Sequence, residues 1–298
     1  MTSGCRVVTR VPRLEPRPPE SHKGDFGRAV LVGGSRGMSG AIALAGMAAL
    51  RGGAGLVRLA VPDPCLDSVA RFEPSYMTWP LPADARGRLT LAAWEPLQEA
   101  LADATCVAVG PGLGRSNEID GLVGQLYRHV ARPLVVDADG LNALASSSEV
   151  WGANQGPRIL TPHPGEFRRL FGAAARVREE QEEQAIEFAR RVAAVVVLKG
   201  SRTLVTDGWR VYRNATGNPG MATGGSGDVL TGLITALVCQ GLEPFDAAQL
   251  GVYLHGLAGD WAAAEVGQVS LIATDLIRCL SHAFLSYQRE SADAGLST

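Results

Sequence analysis

The sequence predicts an α/β fold with a largely parallel central sheet covered by helices on both faces. Three observations lead there. Short runs of apolar, β-branched residues recur along the chain, and segments with helical patterning separate them. Almost every such run empties into a cluster of glycines or polar residues, where parallel sheets place their ligands. The alternation runs from about residue 28 to residue 289 with no linker-like break. One domain over 23–290 is therefore expected, with an extended lead-in over 1–22 and a frayed tail over 291–298. Strands that alternate with helices are joined by crossovers, and crossovers lay helices on both sides of the sheet.

The elements follow in order. The Pro- and Arg-rich lead-in reads as extended surface chain. RAVLV at 28–32 is a buried strand that empties into GGSRGMSG and a small-residue helix over 41–51. Glycines at 52, 53 and 55 end that helix, and 56–61 is the next strand. The result is a βαβ unit with a glycine-rich first turn. Residues 105–109 form a strand ending in GPGLG, before a helix over 119–130. Strand 133–136 ends in DADG, strand 158–160 in TPHPGE and strand 195–198 in KG. A charged amphipathic helix over 178–193 precedes the last of these. Asp207-Gly208 marks a hairpin between 203–206 and 209–213. Three helices close the chain, over 228–239, 244–264 and 274–289.

Composition narrows the function. The 298 residues suffice for a sizeable core, with 46% hydrophobic and 19% charged residues. A formal charge of −2 gives no electrostatic case for a nucleic-acid surface. The five cysteines are scattered, without metal-ligand spacing, and read as buried thiols of a reducing compartment. There is no apolar run of signal-peptide type near the start and no membrane span. A soluble cytoplasmic protein is expected.

The chemistry concentrates in residues 214–232, NATGNPGMATGGSGDVLTG, with six glycines in nineteen positions. Backbone amides at a helix start, bared by glycine, cradle phosphate. Asp228 stands at that helix start, where a carboxylate repels an anion unless it handles a proton. A capping aspartate would need no TGGSG before it. Asp228 is therefore read as a base taking a proton from a substrate hydroxyl, in a phosphoryl transfer stabilised by the amides of Gly225, Ser226 and Gly227.

Other clusters fit the same crevice. GGSRGMSG spells neither the dinucleotide fingerprint nor a P-loop. The 110–114 loop is either a turn or backbone making room for substrate. His163, between two prolines, suits a substrate contact, and Glu166 a metal-water or outer carboxylate. Asp137 and Asp139 fit two roles, capping a helix or helping to hold Mg²⁺. Lys199, followed by Gly200, Ser201, Arg202 and Thr203, can reach a phosphate or simply open the hairpin.

HKGDFGRAVLVGGSRGMSGA, VGPGLG, VVDADGLNAL, LTPHPGEF, VVLKG and NPGMATGGSGDVLTG together resemble the ADP/ATP-dependent NAD(P)H-hydrate dehydratases of the ribokinase-like superfamily. The likeness covers roughly residues 22–285. It implies repair of hydrated NADH and NADPH, driven by a nucleotide with Mg²⁺. Ala41, Gly112, Gly114, His163 and Asp228 then match the hydrated dinucleotide's site. Lys199, Gly200, Ser201, Arg202, Thr203 and Gly227 match the adenine-nucleotide site. In the implied mechanism Asp228 deprotonates the C6 hydroxyl, the nucleotide phosphorylates it, and phosphate is eliminated. The metal is assigned to Glu166 and Asp137. ADP is expected rather than ATP, since the compact chain resembles the bacterial form. The resemblance also implies a homotetramer and a separate epimerase for the R form, because 298 residues leave no room for one. Two alternatives share the GSGD turn or the fold: a vitamin-precursor kinase of the hydroxyethylthiazole type, and a non-catalytic nucleotide sensor.

Overall fold

The computed structural model of the chain describes residues 4–146, 150–152, 154–172, 175 and 177–295. In chain order the elements are β1 (Arg6–Val7), β2 (Arg28–Val32), α1 (Ser39–Arg51), β3 (Leu56–Pro62), α2 (Leu66–Ala70), β4 (Met77–Leu81), α3 (Trp94–Leu101) and β5 (Cys106–Val109). They continue with α4 (Asn117–His129), β6 (Leu134–Val136), α5 (Ala138–Ala145), β7 (Arg158–Leu160), α6 (Pro164–Phe171), α7 (Arg178–Val192), β8 (Val195–Leu198), β9 (Leu204–Thr206) and β10 (Arg210–Arg213). The chain closes with α8 (Ser226–Cys239), α9 (Pro244–Val266) and α10 (Ala273–Gly295).

Ten strands form one sheet in the order β1-β10-β9-β8-β7-β6-β5-β2-β3-β4. Only β9 runs against the others, paired antiparallel with β8 and β10. From β2 the chain steps one way to β3 and β4, then returns to place β5 on the other side of β2. The loops after β2 and β5 therefore diverge, and this switch point is where an open α/β sheet binds ligands.

Both faces of the sheet are buried, and the period of two shows it. Ala29, Leu31, Cys106, Ala108, Val135 and Val197 belong to one core, packed against α1, α8, α9 and α10. Their neighbours Val30, Val32, Val107, Val109, Val136 and Leu198 belong to a second, packed against α3, α4, α5, α6 and α7. This alternation continues beyond the strands. Asp137 follows Val136 and Lys199 follows Leu198, so both side chains turn to the α8 face.

Several short elements escape periodicity. β1 has two residues, β4 is an edge strand carrying Pro80, and α2, α5 and α6 span five to eight residues. α10 continues past Ser291 to Gly295, further than the polar composition of its end suggests. The lead-in is pinned to the body of the fold. Gln249 Nε2 donates to the Arg10 carbonyl at 2.7 Å, and the Tyr287 hydroxyl accepts from Leu14 N at 2.7 Å. Val8, Val11 and Leu14 pack on the core beneath.

One buried cation serves the fold alone. Arg158, 1% exposed, donates to the carbonyls of Tyr127, Val130 and Pro157 at 2.5–3.0 Å. Tyr127 and Val130 lie at the C-terminal end of α4, where carbonyls lack helical partners. Burial lowers the guanidinium pKa to about 10, so it remains charged at neutral pH. Arg158→Met strands those carbonyls and is expected to cost about 3 kcal/mol of unfolding free energy, read by urea denaturation.

Candidate active site

Six segments converge at the carboxyl ends of the strands, and their contacts close a ring. The loop after β5 lies on the start of α1: a Cβ on Gly112 would stand 3.1 Å from the Ala41 Cβ. Gly34 N donates to the Pro111 carbonyl and Ser35 Oγ to that of Gly112, both at 2.8 Å. Gly114 N donates to Asp139 Oδ2 at 2.9 Å, which carries the ring to α5. Gly110, at φ +136°, lets the loop pass the Asp137 carbonyl, which a Cβ there would strike at 1.8 Å. From α5 the ring runs through Asp137 and Lys199 to α8. A Cβ on Gly225 would meet Leu44 at 2.6 Å, which returns the ring to α1.

Asp137 is the hinge of this arrangement. It occupies the N-cap position of α5 yet makes no side-chain cap bond. Its Oδ1 instead accepts from Lys199 Nζ at 2.6 Å, and its Oδ2 from the Thr231 hydroxyl at 2.7 Å. The capping role read from sequence is thus not taken up; through Lys199 and Thr231 the carboxylate joins β6, β8 and α8. Asp139 likewise turns to Gly114 N.

Lys199 lies between carboxylates, with Glu166 Oε2 at 3.7 Å. Burial alone would lower its pKa, but Asp137 and Glu166 outweigh that and raise it, so the ammonium is charged. A Cβ on Gly227 would come within 3.2 Å of Nζ and 3.7 Å of Asp137 Oδ2. That position is glycine because the charged pair lies against the helix start. Beyond Lys199, Gly200, Ser201 and Arg202 form an exposed loop with Arg202 at φ +56°. The Thr203 hydroxyl donates to the Gly200 carbonyl at 3.0 Å. Arg178 braces this loop, donating to the carbonyls of Leu198 and Arg202 at 3.1 and 3.4 Å.

His163 and Glu166 form a capping box at the start of α6. His163 Nδ1 accepts from the amides of Gly165 and Glu166, at 2.9 and 3.3 Å. The neutral ring thus carries its proton on Nε2, which faces Glu166 Oε1 at 3.2 Å. Burial lowers the His163 pKa further, followed by the charge of Lys199. Glu166 Oε2 accepts from His163 N at 2.8 Å. Burial raises the Glu166 carboxyl to about 7, against the pull of Lys199. Both oxygens of Glu166 and of Asp137 thus face protein donors, and a directly bound Mg²⁺ would have to displace one. Water-mediated contact asks for no displacement, and Mg²⁺ commonly keeps several waters.

Gly225, at φ +89°, is the N-cap of α8, and Asp228 is its third residue. The amides of Gly227 and Asp228 have no partner among the described residues, as an anion cradle requires. Burial, then Asp137, raises the Asp228 carboxyl to about 7, while Lys199 opposes them. The Ser226 side chain faces the other way, with Oγ 3.4 Å from His255 Nε2. His255, buried in α9, also lies 3.0 Å from the Ser226 carbonyl, and burial pushes its pKa down to about 4. A base near pH 7, a charged lysine and free helix amides on one rim suit proton abstraction beside a phosphoryl group.

Sequence reading missed Thr231, His255 and Arg178. Their signal is faint: each is a polar residue at a buried or half-buried place in a helix, recognisable only once its partner is known.

Comparison with known proteins decides the family. Residues 29–282 match the family model described as NAD(P)H-hydrate dehydratase. The chain belongs to the NAD(P)H-hydrate dehydratase family. It is 48% identical over 289 residues to the bifunctional NAD(P)H-hydrate repair enzyme of Moorella thermoacetica, covering 96% of this chain and 53% of that one. The chain thus spans about half the length of the curated relatives it matches. The ADP/ATP-dependent NAD(P)H-hydrate dehydratase of Bacillus subtilis, co-crystallised with ATP and Mg²⁺, superposes with a TM-score of 0.78 at 30% identity. That match covers 91% of this chain and 94% of the other. A ribokinase-like superfamily protein of Enterococcus faecalis V583 superposes equally well, with a TM-score of 0.78 at 25% identity over 96% and 97% of the two chains. The fold is ribokinase-like, as the dehydratase resemblance implies.

Proposed function

We propose that the chain is an ADP-dependent (S)-NAD(P)H-hydrate dehydratase with one catalytic unit over residues 23–290. The observation that supports this most is the placement of Asp228, buried beside the free amides of α8 and the charged Lys199. Asp228 takes the proton of the C6 hydroxyl of the hydrate, and the freed oxygen attacks the terminal phosphorus of ADP. AMP leaves, and phosphate then departs from C6 with the C–O electron pair while C5 gives up a proton to solvent, so the ring double bond re-forms. The amides of Gly225, Ser226 and Gly227 hold the phosphoryl group in transit, the Ser226 amide exchanging for it a long 3.4 Å contact with the Thr223 carbonyl. Lys199 neutralises its charge, with the loop of Gly200, Ser201, Arg202 and Thr203 beneath the nucleotide. Ala41, Gly112, Gly114 and His163 line the side left for the hydrated dinucleotide.

Glu166 and Asp137 would hold Mg²⁺, which would supply charge neutralisation on the nucleotide phosphates when bound. Among the described residues no helix is long and apolar enough to cross a membrane. A cytoplasmic homotetramer completes the reading. The bifunctional names of the relatives support a companion epimerase activity for the R form.

The test is recovery of dihydronicotinamide absorbance from hydrated NADH or NADPH with Mg²⁺ and either ADP or ATP. With ADP, release of AMP and phosphate, one of each per cofactor restored, is the expected result. No recovery with either nucleotide, together with phosphorylation of a thiazole alcohol, would replace this reading by the kinase one. The pH profile gives a second check. A base raised to about 7 must shed its proton to act, so kcat/KM should climb about tenfold per pH unit below that value and level off above it.

A further inference from the structure

We propose a second, separate metal site between α9 and α10, where Glu265, Cys279 and His282 bind a borderline-soft divalent cation such as Zn²⁺. Glu265 ends α9, while Cys279 and His282 stand three residues apart on α10 and so share one face of that helix. One carboxylate oxygen of Glu265 faces both partners, 3.5 Å from His282 Nδ1 and 3.9 Å from Cys279 Sγ. All three donor atoms lie within 4.8 Å of one another.

These separations are long for a carboxylate's own hydrogen bonds. They suit a shared ion better. With Zn–S near ~2.3 Å and Zn–N or Zn–O near ~2.0–2.2 Å, a tetrahedral ion sets its ligand atoms roughly 3.3–3.7 Å apart. The triad therefore needs its donor atoms to draw together by about 1.3 Å or less, a shift within reach of side-chain rotation. The donor set of one sulfur, one nitrogen and one oxygen selects Zn²⁺ or Co²⁺ over Mg²⁺ and Ca²⁺.

The surroundings are those of a supported site. The other Glu265 oxygen is held by Arg278, which also reaches Asp275 Oδ1 at 3.3 Å, so the ligating oxygen is aimed inward. Trp261 meets the His282 ring edge-on, with centroids 5.5 Å apart. Cys279 is fully buried and forms the floor, whereas His282 and Glu265 are partly open and leave a fourth position for water. Cys279 would bind as the thiolate and release its proton.

The position gives the ion a use. It would clamp α9 to α10 on either side of the 267–272 connection. Gln268 of that connection packs on Gly220, whose added Cβ would lie 2.8 Å from the Gln268 Cα. The clamp thus stands behind the 214–232 stretch without touching Asp228.

The untagged full chain, stripped with a chelator, is titrated with Co²⁺ and then Zn²⁺. One Co²⁺ per chain, an intense thiolate-to-cobalt band and displacement by Zn²⁺ are expected. Zn²⁺ at a hundredfold excess over Kd should raise Tm by about 5 °C. Cys279→Ser removes the thiolate band, and Arg278→Gln weakens binding about tenfold. His282→Asn, at a surface position that leaves the core intact, removes stoichiometric binding even if the Cys279 variant fails to fold. Absence of stoichiometric Co²⁺, a spectrum without the thiolate band, or unchanged binding in His282→Asn would each overturn the site.

Discussion

Asp228→Asn is expected to lower kcat about a thousandfold while nucleotide affinity stays within a few-fold of the parent, since removing a positioned base costs 10²–10⁴. Asparagine keeps the shape and burial of the aspartate and still fills the first turn of α8. It cannot take a proton. The amides of Gly227 and Asp228 and the Lys199 ammonium survive, so phosphate binding survives with them. Single-turnover measurement of AMP release separates this outcome from simple loss of binding. Turnover within tenfold of the parent would remove Asp228 from the base role.

The same variant has a signature in stability. The Asp228 and Glu166 carboxyls are both raised to about 7 in the folded protein, well above their ordinary values. Between roughly pH 4 and pH 7 the folded state keeps protons that the unfolded chain has released. Unfolding free energy therefore falls as pH rises through that window. Asp228→Asn deletes the larger of the two shifts, so its stability curve should be flatter. At pH 8 the variant should be at least as stable as the parent, as expected where a buried base is kept for function.

Much of this arrangement is legible in the chain. The unbroken apolar runs at 29–32, 106–109 and 195–198 mark strands buried on both faces, and the glycines and polar residues after them mark the ligand end. GSGD stands out because a carboxylate beside an expected phosphate cradle contradicts plain electrostatics. The partners of these residues are not readable. Asp137 and Lys199 are 62 positions apart, and only the interposition of β7 between β6 and β8 brings them together. Thr231 looks like an ordinary polar residue in an apolar helix until Asp137 is seen against it. The short helix α5 hides behind DADG, where sequence offers capping and metal binding with equal force. Long-range pairing decides such cases, and one-dimensional pattern carries little of it.

Lys199→Ala should have two effects that a further substitution can pull apart. The Lys199 ammonium acts on Asp137, Glu166 and Asp228 alike. Its loss leaves Asp137, 1% exposed, with the Thr231 hydroxyl as its remaining side-chain donor among the described residues. A buried carboxylate without its cation costs about 3–5 kcal/mol, so the variant should unfold at distinctly lower urea. The rising limb of the pH profile should also move upward, because Lys199 is what opposes the raised pKa of Asp228. If the ammonium additionally meets a phosphate, the KM for nucleotide rises about a hundredfold, the scale of a lost buried charge contact. Adding Asp137→Asn removes the orphaned charge and should restore most of the stability. It supplies no new cation, so nucleotide affinity should remain low. A double variant that recovers both stability and affinity would show that Lys199 only balances Asp137. Recovery of stability alone assigns the ammonium to the nucleotide, with Asp137 as the group that holds it ready.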